Sequence, residues 1–204
     1  MIAVVDYGLG NILAFSNMFK RLNIDARVAR SAGELAGADK IILPGVGAFD
    51  HAMELLDASG MRGTLDALVL QDKVPVLGIC VGMQILAKAS DEGKLPGLGW
   101  IDGRVRAFNS VPEAASLALP HMGWNDVAPH AGQRLFAQME TDARFYFLHS
   151  FFFECAAAGS VAATANYGID FSCAVHSGNV HGVQFHPEKS HHWGARLLQN
   201  FTEL

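Results

Sequence analysis

Short, largely apolar runs recur along the first half of the chain at residues 2–5, 26–29, 40–43 and 74–79. Their length, with helical patterns between them, predicts buried parallel strands. Between the first two, Ile12, Phe15, Phe19 and Leu22 fall on one face of a helix. Asn11 stands where a capping side chain belongs, and Gly8-Leu9-Gly10 supplies a tight turn out of the first strand. Further helical stretches are expected over about 61–70 and 82–89, so the rhythm is βαβ and the sheet doubly wound. After Pro96 the pattern becomes strand-rich, with runs at 101–108, 144–153, 161–166, 173–176 and 180–185. The last two flank Ser177-Gly178-Asn179, a hairpin-type turn. A closing helix over roughly 193–202 turns Leu197, Leu198 and Phe201 inward. The expected fold is α/β: a mostly parallel central sheet flanked by helices, with an added antiparallel, strand-rich second half. No repeat, low-complexity tract or linker divides it, so residues 1–204 read as one domain.

Composition agrees and excludes some partners. The chain has 204 residues, 50% hydrophobic and 17% charged, enough for a substantial core. Its net charge is −5 and its 15 lysines and arginines are dispersed, which argues against nucleic acid. Ile2-Ala3-Val4-Val5 stops at Asp6 with no basic segment before it, and no apolar run is long enough to span a bilayer. A soluble, cytoplasmic protein is expected. Cys80, Cys155 and Cys173 have no Cys-x-x-Cys spacing and read as free thiols, with neither a disulfide framework nor a metal site indicated.

The chemistry concentrates in two distant strings. In Gly78-Ile79-Cys80-Val81-Gly82 a cysteine ends an apolar run, begins a helical one, and has a glycine two residues to either side. That is a nucleophile elbow with sulfur in place of hydroxyl, where small neighbours permit a strained turn and the new helix aims N–H groups at the thiol. A reactive thiolate is expected there. In His186-Pro187-Glu188 the proline keeps His186 extended, so Glu188 projects to the same side and can reach the imidazole. Either string alone has a bland reading, a buried small hydrophobe or a turn; together they make a nucleophile, a base and an orienting carboxylate. In an open α/β sheet, ligands gather beyond the carboxyl ends of the strands. Segments 7–11 and 44–49 share that position with Cys80. The glycines around Val46 would let that loop donate an N–H to an oxyanion together with Val81. Gly8-Leu9-Gly10 is not a dinucleotide fingerprint, because the third glycine position holds Leu13. Gln84, four residues after Cys80, lies on the same helical face and could hold a substrate; an exposed polar helix residue is the plainer reading.

Six strings resemble the class I, or triad, glutamine amidotransferases: Tyr7-Gly8-Leu9-Gly10-Asn11, Pro44-Gly45-Val46-Gly47-Ala48-Phe49, Gly78 to Gln84, Pro120-His121-Met122-Gly123-Trp124-Asn125, Phe147-Leu148-His149-Ser150 and Gly182 to Ser190. The His-Met-Gly-Trp-Asn and Glu-Lys-Ser portions narrow the resemblance to glutaminase subunits of imidazole glycerol phosphate synthases. The resemblance implies the class I glutamine amidotransferase fold, glutamine as substrate, no cofactor, and a Cys80, His186, Glu188 triad that forms and hydrolyses a glutamyl thioester. It implies Val46 and Val81 as oxyanion donors, and Gly47, Gln84, His149, Ser150 and Phe151 around the glutamine. It also implies ammonia transfer within a heterodimer to a (βα)8-barrel cyclase in histidine biosynthesis, with Asn11, Trp124 and Lys189 near that interface. Two features depart from the pattern. Phe151 replaces an expected tyrosine, and 190–194 with 98–102 look more like a paralogous group that supplies ammonia for amidating a surface-polysaccharide sugar. A non-catalytic relative and a γ-glutamyl hydrolase are the remaining alternatives. His191-His192, at a helix start, point apart and read as a solvated cap rather than a metal pair.

Overall fold

The first apolar run forms β1, Ile2–Val5, with every residue buried. The computed structural model describes residues 1–139 and 141–204. After β1 come α1 (Ile12–Arg21), β2 (Ala26–Ala29), α2 (Ala32–Leu35), β3 (Lys40–Gly45), α3 (Phe49–Ala58), α4 (Arg62–Asp66), β4 (Val76–Cys80) and α5 (Val81–Gln84). The second half contributes β5 (Ala89–Ser90), β6 (Gly103–Ala107), β7 (His121–Asp126), β8 (Ala128–Pro129), β9 (Arg144–His149), β10 (Phe151–Cys155), β11 (Val161–Tyr167), β12 (Ile169–Ser177), β13 (Val180–Val183) and α6 (His191–Thr202).

The main sheet has the order β2-β1-β3-β4-β13-β12-β10-β6-β5, with β11 beside β12 and β8 beside β11. β2, β1, β3, β4 and β13 run parallel, whereas β12 opposes β13 and β10 opposes both β12 and β6. The mostly parallel α/β sheet with an antiparallel extension is thus the observed fold. β12 and β13 turn through Gly178 at φ +57°, as the hairpin reading required. β7 and β9 form a separate antiparallel pair. Among the described residues no helix is long and apolar enough to cross a membrane.

Several elements differ from the sequence pattern. The helix expected over 82–89 stops at Gln84, because the carbonyls of Ile85, Leu86 and Ala87 accept from Leu98, Ile101 and Gly99 at 2.8, 3.1 and 3.1 Å instead of continuing the helix. Tertiary hydrogen bonds override local propensity here. The stretch over 61–70 is α4 followed by a wider π turn, Ala67–Gln71. Asn11 does not cap α1 with its side chain; its carbonyl opens the helix by accepting from Ala14 and Phe15. The strand expected over 144–153 is two strands, broken at Ser150. α3 was not expected, although Phe49, Ala52, Met53 and Leu56 have helical spacing and are all buried.

Candidate active site

Strand register assembles the site. Gly45 lies beside Cys80 across β3 and β4, and Val183 lies beside Ile79 across β4 and β13. The chains leaving these strands at their carboxyl ends therefore carry Val46, Val81 and His186 to one place. Cys80 is buried and adopts φ +56°, ψ −114°, sparsely populated for a residue with a side chain. Such strain costs about 1–3 kcal/mol and persists only where the surroundings impose it. Here the surroundings are backbone: a Cβ on Gly82 would lie 1.9 Å from the Leu43 carbonyl oxygen, and one on Gly78 would lie 2.5 Å from the Gly82 oxygen. Gly82→Ala should therefore destabilise the protein by about 3 kcal/mol or more, read from denaturant unfolding; an unchanged midpoint would contradict this account of the elbow. Of the glycines around Val46, only Gly47 uses a left-handed conformation, φ +95°. Gly45 serves clearance, since a Cβ there would lie 2.6 Å from the Gly82 nitrogen. Because α5 is a single turn, the helix dipole expected behind the thiol is small, and nearby N–H groups supply what positive potential it contributes.

His186 is extended, at φ −104°, ψ 95°, and its Nδ1 is 2.8 Å from Glu188 Oε1, as the His-Pro-Glu spacing predicts. Ser190 holds the pair to β9: its Oγ donates to the His186 carbonyl at 2.6 Å and accepts from the Tyr146 N–H at 3.0 Å. Burial alone would push the imidazole towards neutrality, but hydrogen bonds and charge from Cys80 and Glu188 outweigh it and raise His186 from 6.5 to about 10. The imidazolium is thus the favoured form beside the sulfur. Burial pushes the other two thiols up, Cys155 to about 11 and Cys173 further, so neither is a thiolate near neutral pH.

A cleft of about 290 Å³ opens over Cys80. Its walls include Val46, Gly47, Cys80, Val81, Gln84, His149, Ser150, Phe151, His186 and Lys189, so the expected catalytic, oxyanion and substrate residues converge, Glu188 standing behind His186. Gln84 is buried rather than exposed, and its Nε2 lies 3.1 Å from Gln184 Oε1 and 3.4 Å from the Phe151 carbonyl. Gln184, missed as a site residue, is also buried and directs its Nε2 at Cys80 Sγ, 3.9 Å away. Its signals were a polar residue within a mostly apolar run and its place in the Gly182 to Ser190 string. Glu92 also lines the cleft and accepts from the Phe49 N–H at 2.9 Å, fastening the loop before α3; nothing in the sequence pointed to it. Asn11 and Trp124 do not line the cleft. Trp124 stacks on His191, with centroids 5.4 Å apart, while His192 packs against Trp193. Both histidines are exposed, as the solvated reading expected, but Ser190 is the N-cap of α6 and His191 is a stacking partner.

The sequence profile described as "Glutamine amidotransferase class-I" matches residues 3–204. The chain belongs to this family. A relative named imidazole glycerol phosphate synthase subunit HisH, from Bdellovibrio bacteriovorus, is 66% identical over 204 residues, all of each chain. One of the same name from Leptospira borgpetersenii is 50% identical, again over the whole of both chains. A solved structure described as a glutamine amidotransferase superposes with a TM-score of 0.77 at 24% identity, covering 99% of this chain and 97% of the other, and supports the fold. Cys80 and His186 line one cleft, and Glu188 is bonded to His186.

Proposed function

We propose that this chain, acting as one cytoplasmic domain over 1–204, is the glutaminase subunit of an imidazole glycerol phosphate synthase. The observation that carries the reading is the convergence of the Cys80 elbow with a His186–Glu188 pair in one cleft, in a chain aligned end to end with relatives of that name. Those names favour histidine biosynthesis over surface-sugar amidation. Cys80 Sγ attacks the side-chain amide carbon of glutamine, and the oxyanion takes N–H bonds from Val81 and Val46. As the C–N bond breaks, the His186 imidazolium gives its proton to the departing nitrogen, leaving a glutamyl thioester and ammonia. Water, deprotonated by His186, then attacks the thioester, releasing glutamate and the sulfur. Glu188 holds the ring and balances its charge. Gly47, His149, Ser150 and Phe151 seat the glutamine; Gln84, its Nε2 engaged with Gln184 and Phe151, contributes mainly by holding those groups.

Ammonia released into water would be protonated and lost as a nucleophile, so it must pass directly to an acceptor site. Met122, Trp124, Leu148 and Val46 are 64, 43, 37 and 41% exposed, an apolar surface at and beside the cleft on which the cyclase, a (βα)8 barrel, would dock, with Asn11 and Lys189 near its edge. Control follows from the oxyanion loop: Val46 lies between Gly45 and Gly47, so the turn has little side-chain bulk to lock its peptide planes. If its N–H points away in the isolated chain, one donor is missing, a loss of roughly 10²–10³ in rate. Glutamate formation by the chain alone is expected to be slow and to rise by that factor with the cyclase and its acceptor substrate, which must bind the productive state more tightly. Full activity in the partner-free chain would remove the switch, and failure to rescue a histidine auxotroph lacking this subunit, with the protein well expressed, would overturn the pathway.

A further inference from the structure

One buried histidine, His149, is part of the cleft wall, and a second, His121, stands behind it. β7 and β9 place His121 opposite His149, and His121 Nδ1 lies 2.9 Å from His149 Nε2. The remaining nitrogen of His149, Nδ1, is 2.7 Å from the Phe151 carbonyl oxygen. A carbonyl only accepts, so His149 carries its proton on Nδ1 and its Nε2 is an acceptor. His121 must then donate from Nδ1, which leaves its Nε2 to accept from Asn125 Nδ2 at 3.2 Å. Asn125 is oriented in turn, donating to the Asn166 carbonyl and accepting from the Asp126 N–H, both at 2.8 Å. The donors therefore run one way, from Asn125 through His121 and His149 to the Phe151 carbonyl. His121 is clamped between Phe147 and Tyr167, with centroids 4.8 and 4.1 Å away and planes within 21° and 18°. At 4% and 6% exposure both rings are shielded, and burial lowers His121 to about 4 and His149 to about 3, so both are neutral near pH 7.

The end of this relay is part of the cleft. His149, Ser150 and Phe151 line it, and the Phe151 carbonyl also receives Gln84 Nε2. We propose that His121 and Asn125 are positioning residues for glutamine: they fix the tautomer and ring orientation of His149, and through it the shape of the wall at residues 150–151. The proposal rests on the glutaminase reading above; the proton assignments stand apart from it, on the hydrogen bonds and on the burial that keeps both rings neutral.

Two substitutions separate positioning from simple packing. His121→Phe keeps a ring between Phe147 and Tyr167 but removes the donor, leaving His149 Nε2 buried and unpaired. His121→Asn gives up the stacking but carries an N–H where Nδ1 was. In complex with the cyclase, His121→Phe should melt somewhat lower, because His149 Nε2 is left unpaired, and its KM for glutamine should rise about tenfold, the cost of one hydrogen bond, with kcat little changed. His121→Asn should melt lower yet keep a near wild-type KM. Nitrogen-15 spectra of the wild-type protein at pH 7 should show both imidazoles as Nδ1–H tautomers, and His149 should become mixed in His121→Phe. An Nε2–H tautomer at His149, an unchanged KM in His121→Phe, or a KM that follows melting temperature in both variants would overturn the proposal. Wild-type turnover in the same assay distinguishes these outcomes from failure of the glutaminase reading, which would silence all three proteins alike.

Discussion

Glutamine hydrolysis should fall by on the order of 10⁶ when Cys80 is replaced by alanine or serine, the scale of loss when a covalent nucleophile is removed. Serine is no substitute: its hydroxyl is far less acidic than a thiol, so the charged pair of sulfur and imidazolium that Cys80 and His186 can form has no counterpart. The fold should survive, because the elbow is held by close backbone packing at Gly45, Gly78 and Gly82 and not by sulfur. Cys155 and Cys173 variants should stay active, since burial keeps those thiols protonated. Trapping with a chloroketone analogue of glutamine, followed by peptide mass spectrometry, reads the same point directly: adducts at Cys80 are expected, and an adduct at Cys155 or Cys173 in its place would overturn the assignment.

The elements that position the nucleophile were legible because their causes are local. β1 and β4 are short runs buried on both faces, and a glycine two residues to either side of a cysteine announces a backbone packed too tightly for a Cβ. The His186–Glu188 contact is likewise an i, i+2 geometry that Pro187 enforces. What escaped depends on distant partners. No local rule stops a helix at Gln84; the segment from Leu98 to Ile101 does so by capturing three carbonyls. His121 and His149 are 28 positions apart and meet through the β7–β9 register, and Gln184 reaches Cys80 from 104 positions away. The Phe151 carbonyl, where the His149 and Gln84 bonds meet, likewise draws one partner, Gln84, from far along the chain. Capping, a local rule, misled: Asn11 has the right side chain in the right place, but its carbonyl does the work.

Removing the charge of Glu188 should leave turnover severely impaired but detectable. Glu188→Gln keeps the size of the side chain but replaces a carboxylate oxygen, 2.8 Å from His186 Nδ1, by an amide that can present either a donor or an acceptor. If the amide nitrogen faces the ring, Nδ1 must give up its proton and the wrong tautomer is favoured; if the amide oxygen does, the imidazolium loses its counter-charge. Comparable relays lose up to about 10⁴ in turnover from such a change. Because Glu188 touches no substrate, the loss should appear in kcat rather than in KM for glutamine. Stability supplies an independent reading. His186 is raised above its unfolded value, so its contribution is complete below pH 6.5 and disappears as pH climbs through about 10. The wild-type protein should therefore lose melting temperature across that window, and Glu188→Gln, with one source of the shift removed, should lose less. A Glu188→Gln complex with undiminished kcat would remove the carboxylate from the mechanism, whereas a low kcat with an unaltered pH dependence of melting would show that its role does not run through the charge of His186.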